Sequence, residues 1–320
     1  MNNDEKLKRA SVIALKDYLG VDKSETLLVL SDKNMREIGF ALYDAGMKLC
    51  DEAFYMEMEP RENHAEEPPE IIAEMMQAVD VIIAPTTKSL THTKAAWNAS
   101  RLGVRIATMP GVTVDMMIRC LTGDFQKVID ISERVQKAII GADEVHVLTK
   151  NGTNITFEIS GRKVISSTGV MRNISEKGNM PSGEVYLAPL EGTANGKIVF
   201  DGSAAGLGKL DNPVEVIIKG GMASEFIGNH QAEEMAGIIR KVGENALNIG
   251  EFGIGTNPYA IITGDILEDE KSLGTVHFAF GNNKSMGGKI DVPFHFDATV
   301  LEPTVFVDDK IIIEKGKMLL

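Results

Sequence analysis

On an extended strand, His295 and Asp297 project an imidazole and a carboxylate to the same side, while Phe294 and Phe296 turn to the other. Upstream lie His277, in Gly274-Thr-Val-His-Phe-Ala-Phe-Gly281, and Glu251, in Gly250-Glu-Phe-Gly-Ile-Gly-Thr-Asn-Pro258. Glu184 follows Pro181-Ser-Gly183 in Asn179-Met-Pro-Ser-Gly-Glu-Val-Tyr186. Imidazoles and carboxylates are the ligands of Zn²⁺, Co²⁺, Mn²⁺ and Fe²⁺. His277 and His295 stand in runs of Phe, Val and Ala that shield them from water. A carboxylate in such apolar surroundings needs a partner to stay ionised, and a divalent cation is one such partner. Either glutamate alone reads as ion-paired or exposed, and His-x-Asp is a weak motif by itself. The five residues together point to a metalloenzyme.

The remaining candidates are weaker. His92 lies in the polar run Thr86-Thr-Lys-Ser-Leu-Thr-His-Thr93 at the end of an expected parallel strand. Ligand sites gather at such ends, but helix capping by the Ser and Thr residues explains the run equally well. His230, before an expected helix, reads as a neighbour of its cap. His146 reads as structural and His64 as solvated. Cys50 and Cys120 fall in apolar helical runs and read as buried thiols, with no disulfide framework or Cys-based zinc site between them.

To bring these residues together the chain must supply strands. The first half alternates: strands are expected over 26–30, 53–58, 81–84 and 104–109, and helices over 35–49, 69–78, 94–102, 112–121 and 125–140. This βαβα order predicts an open, mostly parallel sheet flanked by helices. The turn after the first strand is Ser31-Asp32-Lys33-Asn34 rather than Gly-x-Gly-x-x-Gly, so a nucleotide-binding Rossmann domain is unsupported. From about residue 143 the texture changes to short strands punctuated by glycine. Asn151-Gly152 marks a hairpin, 231–246 reads as a lone helix, and 304–314 as a second hairpin. The expected class is α/β, with an α/β domain over 1–145 and a β-rich α+β metal-binding domain over 146–320.

At 320 residues the chain is long enough for two cores. Its net charge of −13 argues against a nucleic-acid surface, which needs a Lys/Arg footprint. The acidic stretch from Asp51 to Glu74 reads as a solvated loop and helix start. No segment has the length and apolarity of a membrane span, and the first residues lack a signal-peptide core. A cytoplasmic location is the expectation.

The four segments around Glu184, Glu251, His277 and His295–Asp297, in that order, resemble the thermophilic metallo-aminopeptidases typified by leucyl aminopeptidase T. The resemblance is specific over most of 179–320 and looser before it. It implies a two-domain homodimer whose C-terminal domain binds two divalent ions, Zn, Co or Mn, and removes N-terminal residues from peptides. Carried over by position, it makes Glu184, Glu251, His277, His295 and Asp297 the metal ligands. Glu184 or Glu251 would then pass the proton to the leaving amine, as a carboxylate beside a metal-activated water does.

Two departures stand against that transfer. The peptidases carry a tyrosine seven residues after the first ligand histidine, where this chain has Lys284, a residue suited to a substrate carboxylate or oxyanion. Only seventeen residues separate His277 from His295, so the intervening loop is short. A mononuclear-iron branch that opens dihydroxypyridine rings shares the same look, with a His, His, Asp set found here as His277, His295 and Asp297. That set fits a facial triad for a single Fe²⁺. The expected activity is therefore a metal-dependent aminopeptidase, with an iron ring-cleaving dioxygenase or a non-catalytic ligand-binding relative as alternatives. A small peptide or other small molecule is the expected substrate.

Overall fold

The computed structural model describes residues 2–320. Two compact units make up the chain: residues up to Phe125 together with Gly169–Ser182, and Gln126–Thr168 together with Gly183–Leu320. The fold is α/β, with a parallel sheet and flanking helices in the first unit and antiparallel sheets in the second.

In the first unit the alternating segments build a five-stranded sheet. Its order is Glu52–Met58, Thr26–Asp32, Val81–Thr86, Arg105–Pro110 and Lys177–Asn179. Every neighbouring pair is parallel. Val81–Thr86 is buried along its whole length, as a parallel strand covered on both faces must be. Leu28, Leu30, Ile82, Ala84 and Ile106 pack against Ile72 and Met76 from one helix and Ala95, Ala96 and Ala99 from another. Helices Lys94–Arg101 and Val114–Leu121 start at Thr93 and Thr113, whose hydroxyls accept from the Ala96 and Met116 amides. The helix expected over 69–78 is shorter, Glu70–Met75.

The second unit holds two antiparallel sheets. The larger has eight strands in the order Met222–Ile227, Val214–Lys219, Asn195–Phe200, Asn154–Glu158, Glu144–Leu148, Thr304–Val307, Lys310–Glu314, Lys317–Met318. The smaller has seven: Gly208–Lys209, Ser203–Ala204, His295–Val300, Val276–Gly281, Ile249–Gly255, Glu184–Leu187, Ile165–Ser167. Phe157 of the larger sheet meets Phe252 and Phe278 of the smaller at ring-centroid distances of 5.1 and 5.9 Å, and Phe200 meets Phe280 at 6.0 Å. Each such buried ring contributes about 1.5–3 kcal/mol of hydrophobic stabilisation. Two helices complete this core: Phe125–Ile139 through Ile131, Val135 and Ile139, and His230–Val242 through Ala232, Met235 and Ile239. The second helix stops earlier than expected because Gly243, at φ +123°, leaves helical space; a 3₁₀ turn over Glu244–Leu247 follows. Among the described residues no helix is long and apolar enough to cross a membrane.

Strand alternation in the smaller sheet separates two chemistries. Phe252, Phe278, Phe280 and Phe296 point into the core, which leaves their odd-numbered neighbours on the opposite face. Gly255 belongs to that second face, and a Cβ there would stand 2.0 Å from the Ser272 carbonyl oxygen and 2.8 Å from the Lys271 carbonyl carbon. Backbone cannot step aside as a side chain can. Gly255→Ala is expected to lower unfolding stability by about 1–3 kcal/mol, read from the urea midpoint at constant slope; an unchanged midpoint would refute this packing.

Candidate metal centre

Glu184, Glu251, His277, His295 and Asp297 lie on four successive strands of the smaller sheet. Residues directly opposite on antiparallel strands share a face. Glu251 pairs with Ala279, and Ala279 with Asp297. His277 stands between Gly253 and Thr299, Glu184 faces Gly255, and His295 faces Gly281. All five functional side chains therefore rise from one face, and the positions between them are Gly or Ala. A Cβ on Gly253 would lie 2.0 Å from His277 Nε2, so the imidazole rests directly on that glycine. A register shift between Ile249 and Glu251 turns Ile249 into the core and Glu251 onto the site face.

The donor atoms gather around Glu251 in two groups, one with His277 and one with His295, and among the described residues no set of donors within 4.8 Å of one another holds both imidazoles. His277 Nε2 is 3.3 Å from Glu251 Oε1 and 3.5 Å from Glu184 Oε2. His295 Nε2 is 3.3 Å from both Glu251 Oε2 and Asp297 Oδ1. Neighbouring ligands on a metal with bonds of about 2.1 Å stand roughly 3.0–3.4 Å apart, so these spacings are of coordination size. Three overlapping sets, each with its donor atoms within 4.8 Å of one another, can be drawn: Glu184–Glu251–His277, Glu251–His295–Asp297 and Glu270–His277–Asp297. Glu251 stands between the two imidazoles. His277 Nδ1 is buried without a hydrogen-bond partner, so every polar attachment of that ring is through Nε2.

Two residues of this cluster carried no sequence signal. Glu270 and Lys271 belong to the run Glu268-Asp-Glu-Lys271, which has the composition of a solvated turn. In the structure Lys271 is 1% exposed, its ammonium 3.4 Å from Glu184 Oε1 and ion-paired with Glu270. Glu268 and Asp269 are buried too, accepting from the backbone amides of Ile261, Thr263 and Gly264. The only clue was topological: the segment between the Glu251 and His277 strands must return to the same sheet.

Electrostatics express the same crowding. Burial works against the charge on Glu251, but hydrogen bonds from His277 and His295 prevail and hold its pKa down at about 2. For His277, burial is outweighed by Glu251, Glu184 and Glu270, which lift it to about 9. His295 is likewise raised well above the usual range, by Asp297 and Glu251 against the loss of hydration. Burial, with Asp297 and Glu184 adding to it, pushes Glu270 up to about 8 against the pull of Lys271. The Tyr186 phenol is raised by burial and by the charges of Glu251, Glu184 and Glu270. The raised values at His277, His295, Glu270 and Tyr186 each reflect the negative charge crowded on this face. A divalent cation among N and O donors answers it, and the donor set fits one.

The cluster opens on one side. His277 is fully buried and the Glu184 and Glu251 side chains nearly so, whereas the His295 side chain is 36% exposed. Lys284 is not drawn in: its ammonium, 64% exposed, pairs with Asp291 on the same loop. His92 and His64 are exposed residues of the first unit, the latter accepting from the Ser89 amide. His146 bonds Asn154 at 2.8 Å, and His230 is the first residue of a helix capped by Asn229.

Two imidazoles and several carboxylates on one sheet face are a donor set that could hold one or two metal ions. Comparison with known proteins narrows the class. The family model NicX: 2,5-dihydroxypyridine 5,6-dioxygenase matches residues 17–320, and the chain belongs to that family. A 2,5-dihydroxypyridine 5,6-dioxygenase of Pseudomonas putida is 22% identical over 264 residues, 76% of this chain and 72% of that protein. The solved structure of 2,5-dihydroxypyridine dioxygenase from Pseudomonas putida KT2440 superposes with a TM-score of 0.84 at 18% identity, covering 100% of this chain and 98% of that one. Wild-type AmpT from Thermus thermophilus superposes with a TM-score of 0.68 at 16% identity, covering 99% of each chain.

The aminopeptidase expectation is corrected by these findings. The likeness to AmpT holds at the level of fold, while the family match over nearly the whole chain is to a dioxygenase, so this protein is not read as a hydrolase, aminopeptidase or metalloprotease. Lys284 in the tyrosine position is an exposed, ion-paired loop residue, and the proton-shuttle roles given to Glu184 and Glu251 fall with the peptidase reading. For the site itself, Gly253→Ala is expected to push His277 off its seat and weaken Co²⁺ affinity by about 10- to 100-fold. Competition with a chromophoric chelator measures this; unchanged affinity in a folded variant would remove His277 from the ligand set.

Proposed function

We propose that this protein is an iron-dependent dioxygenase that opens a dihydroxylated nitrogen heterocycle of the dihydroxypyridine class, with His277, His295 and Asp297 holding one Fe²⁺. The observation that carries the reading is the family match over residues 17–320 together with two histidines and an aspartate on one face of adjacent strands. Two imidazoles and one carboxylate with open positions are the donor set of non-haem ferrous oxygenases. The ion would supply the redox chemistry that dioxygen needs in order to react with a ring. Both atoms of O₂ would enter the product as one ring C–C bond breaks, with no external reductant.

The protein's own groups prepare that reaction. His295 Nε2 faces Asp297 and Glu251 at 3.3 Å, and His277 Nε2 faces Glu251 and Glu184 at 3.3 and 3.5 Å, so the nitrogens that would hold the ion already point at carboxylates that would share it. Buried His277 excludes water from the back of the site, so substrate and oxygen enter from the exposed His295 side. Tyr186 keeps its proton because burial, with the charges of Glu251, Glu184 and Glu270 adding to it, disfavours the phenolate, which leaves its hydroxyl able to donate. Without a metal the carboxylates keep protons on the His277 and His295 imidazoles, and a divalent ion would take the place of those protons.

Anaerobic loading with Fe²⁺ followed by addition of 2,5-dihydroxypyridine and air tests this reading. Oxygen uptake matching loss of the ring chromophore is expected, with both atoms of ¹⁸O₂ in the product. His295→Ala is expected to lower the rate by at least about 10³-fold, about 4 kcal/mol of barrier. A panel of dihydroxylated heterocycles giving no uptake would reject the proposal.

A further inference from the structure

The site has more donors than one ion requires. Glu184, Glu251 and His277 form one set, and Glu251, His295 and Asp297 another, with Glu251 common to both. Geometry of that kind, with a shared carboxylate, can hold two ions roughly 3.5–4 Å apart, the spacing used in hydrolytic two-metal sites. Something other than ligand supply must decide the number.

Lys271 is the group in a position to do so. Its side chain is 1% exposed, with the ammonium 3.4 Å from Glu184 Oε1 and ion-paired with Glu270. Glu184 belongs to one of the three donor sets and Glu270 to another, so the ammonium is already on the carboxylates that a second ion would need. Charge supports the same conclusion. With neutral imidazoles and all four carboxyl groups ionised, as beside a bound cation, the carboxylates and one ammonium carry three negative charges, and one divalent ion leaves a single negative charge. A second ion would turn the cluster net positive and set two cations beside a buried ammonium, with little solvent to screen them. Without the ammonium, two divalent ions would neutralise the four carboxylates.

We infer that Lys271 is a positioning residue that limits this centre to one metal ion, its ammonium standing in for a second cation between Glu184 and Glu270. The inference rests on the one-iron reading above and concerns what enforces it. On a sheet face able to serve either chemistry, one interior lysine then separates a mononuclear redox centre from a dinuclear one.

Counting ions in the whole protein tests it. Wild type, Lys271→Met and Lys271→Arg are each saturated anaerobically with Co²⁺ alone, freed of excess by gel filtration, and assayed for cobalt per chain. Expected values are one for wild type, two for Lys271→Met and one for Lys271→Arg, which restores a cation. Circular dichroism reports folding, and Lys271→Gln replaces the Met variant if the latter does not fold. Wild type holding two ions would overturn the role of Lys271 while leaving the metal centre intact. One ion in both wild type and the neutral variant would also overturn it, as would two in Lys271→Arg. Wild type binding none would reject the underlying site reading as well.

Discussion

Four carboxylates, Glu184, Glu251, Glu270 and Asp297, meet on one sheet face with a single interior ammonium, Lys271, and two imidazoles. Removing so much negative charge from water is costly unless cations compensate it, and the rest of the second unit makes that concentration possible. The phenylalanines at even-numbered positions anchor the sheet from behind through contacts with Phe157 and Phe200. Gly253, Gly255, Ala279 and Gly281 keep the front face clear, so that side chains from four strands gather on either side of Glu251. Strands carry five of the donors, with Glu270 added from the turn after helix Ile266–Asp269, and strand placement suits a centre whose spacing must hold to fractions of an ångström.

Much of this was legible in the chain. The βα alternation before residue 143 foretells the parallel sheet, because buried strands and amphipathic helices have different periods. The two-residue spacing of His295 and Asp297 foretells their shared face for the same reason. Glu184, Glu251 and His277 stood out because acidic or basic side chains among Gly, Phe and Val need a partner. Illegible were the features that depend on register. The shift at Gly250 puts Glu251 on the site face, and no local composition announces it. A three-residue strand, Lys177–Asn179, is too short to show any period, yet it completes the first sheet. Glu270 and Lys271 looked like solvent-facing charge because burial of a charged run is decided by where the chain goes next. Lys284, by contrast, was singled out through its position in a motif and proves to be paired with Asp291 in solvent.

The correction from peptidase to dioxygenase has the same origin. One architecture superposes on both a dihydroxypyridine dioxygenase and AmpT, so fold alone cannot decide the chemistry. Ligand types do not decide it either, since His, Glu and Asp serve zinc, cobalt and iron alike. What differs between a one-ion redox centre and a two-ion hydrolytic centre is the number of cations the acids accept. On the inference drawn above, that number depends on the charge balance around them, to which the buried Lys271 ammonium contributes.

The central claim is that a single ion sits where these strands converge. Crystals grown anaerobically with Fe²⁺, measured on both sides of the iron absorption edge, test it most directly. The account predicts one anomalous peak per chain within about 2.0–2.3 Å of His277 Nε2, His295 Nε2 and an Asp297 oxygen. No peak among these residues, or a peak bonded to neither imidazole, would contradict it.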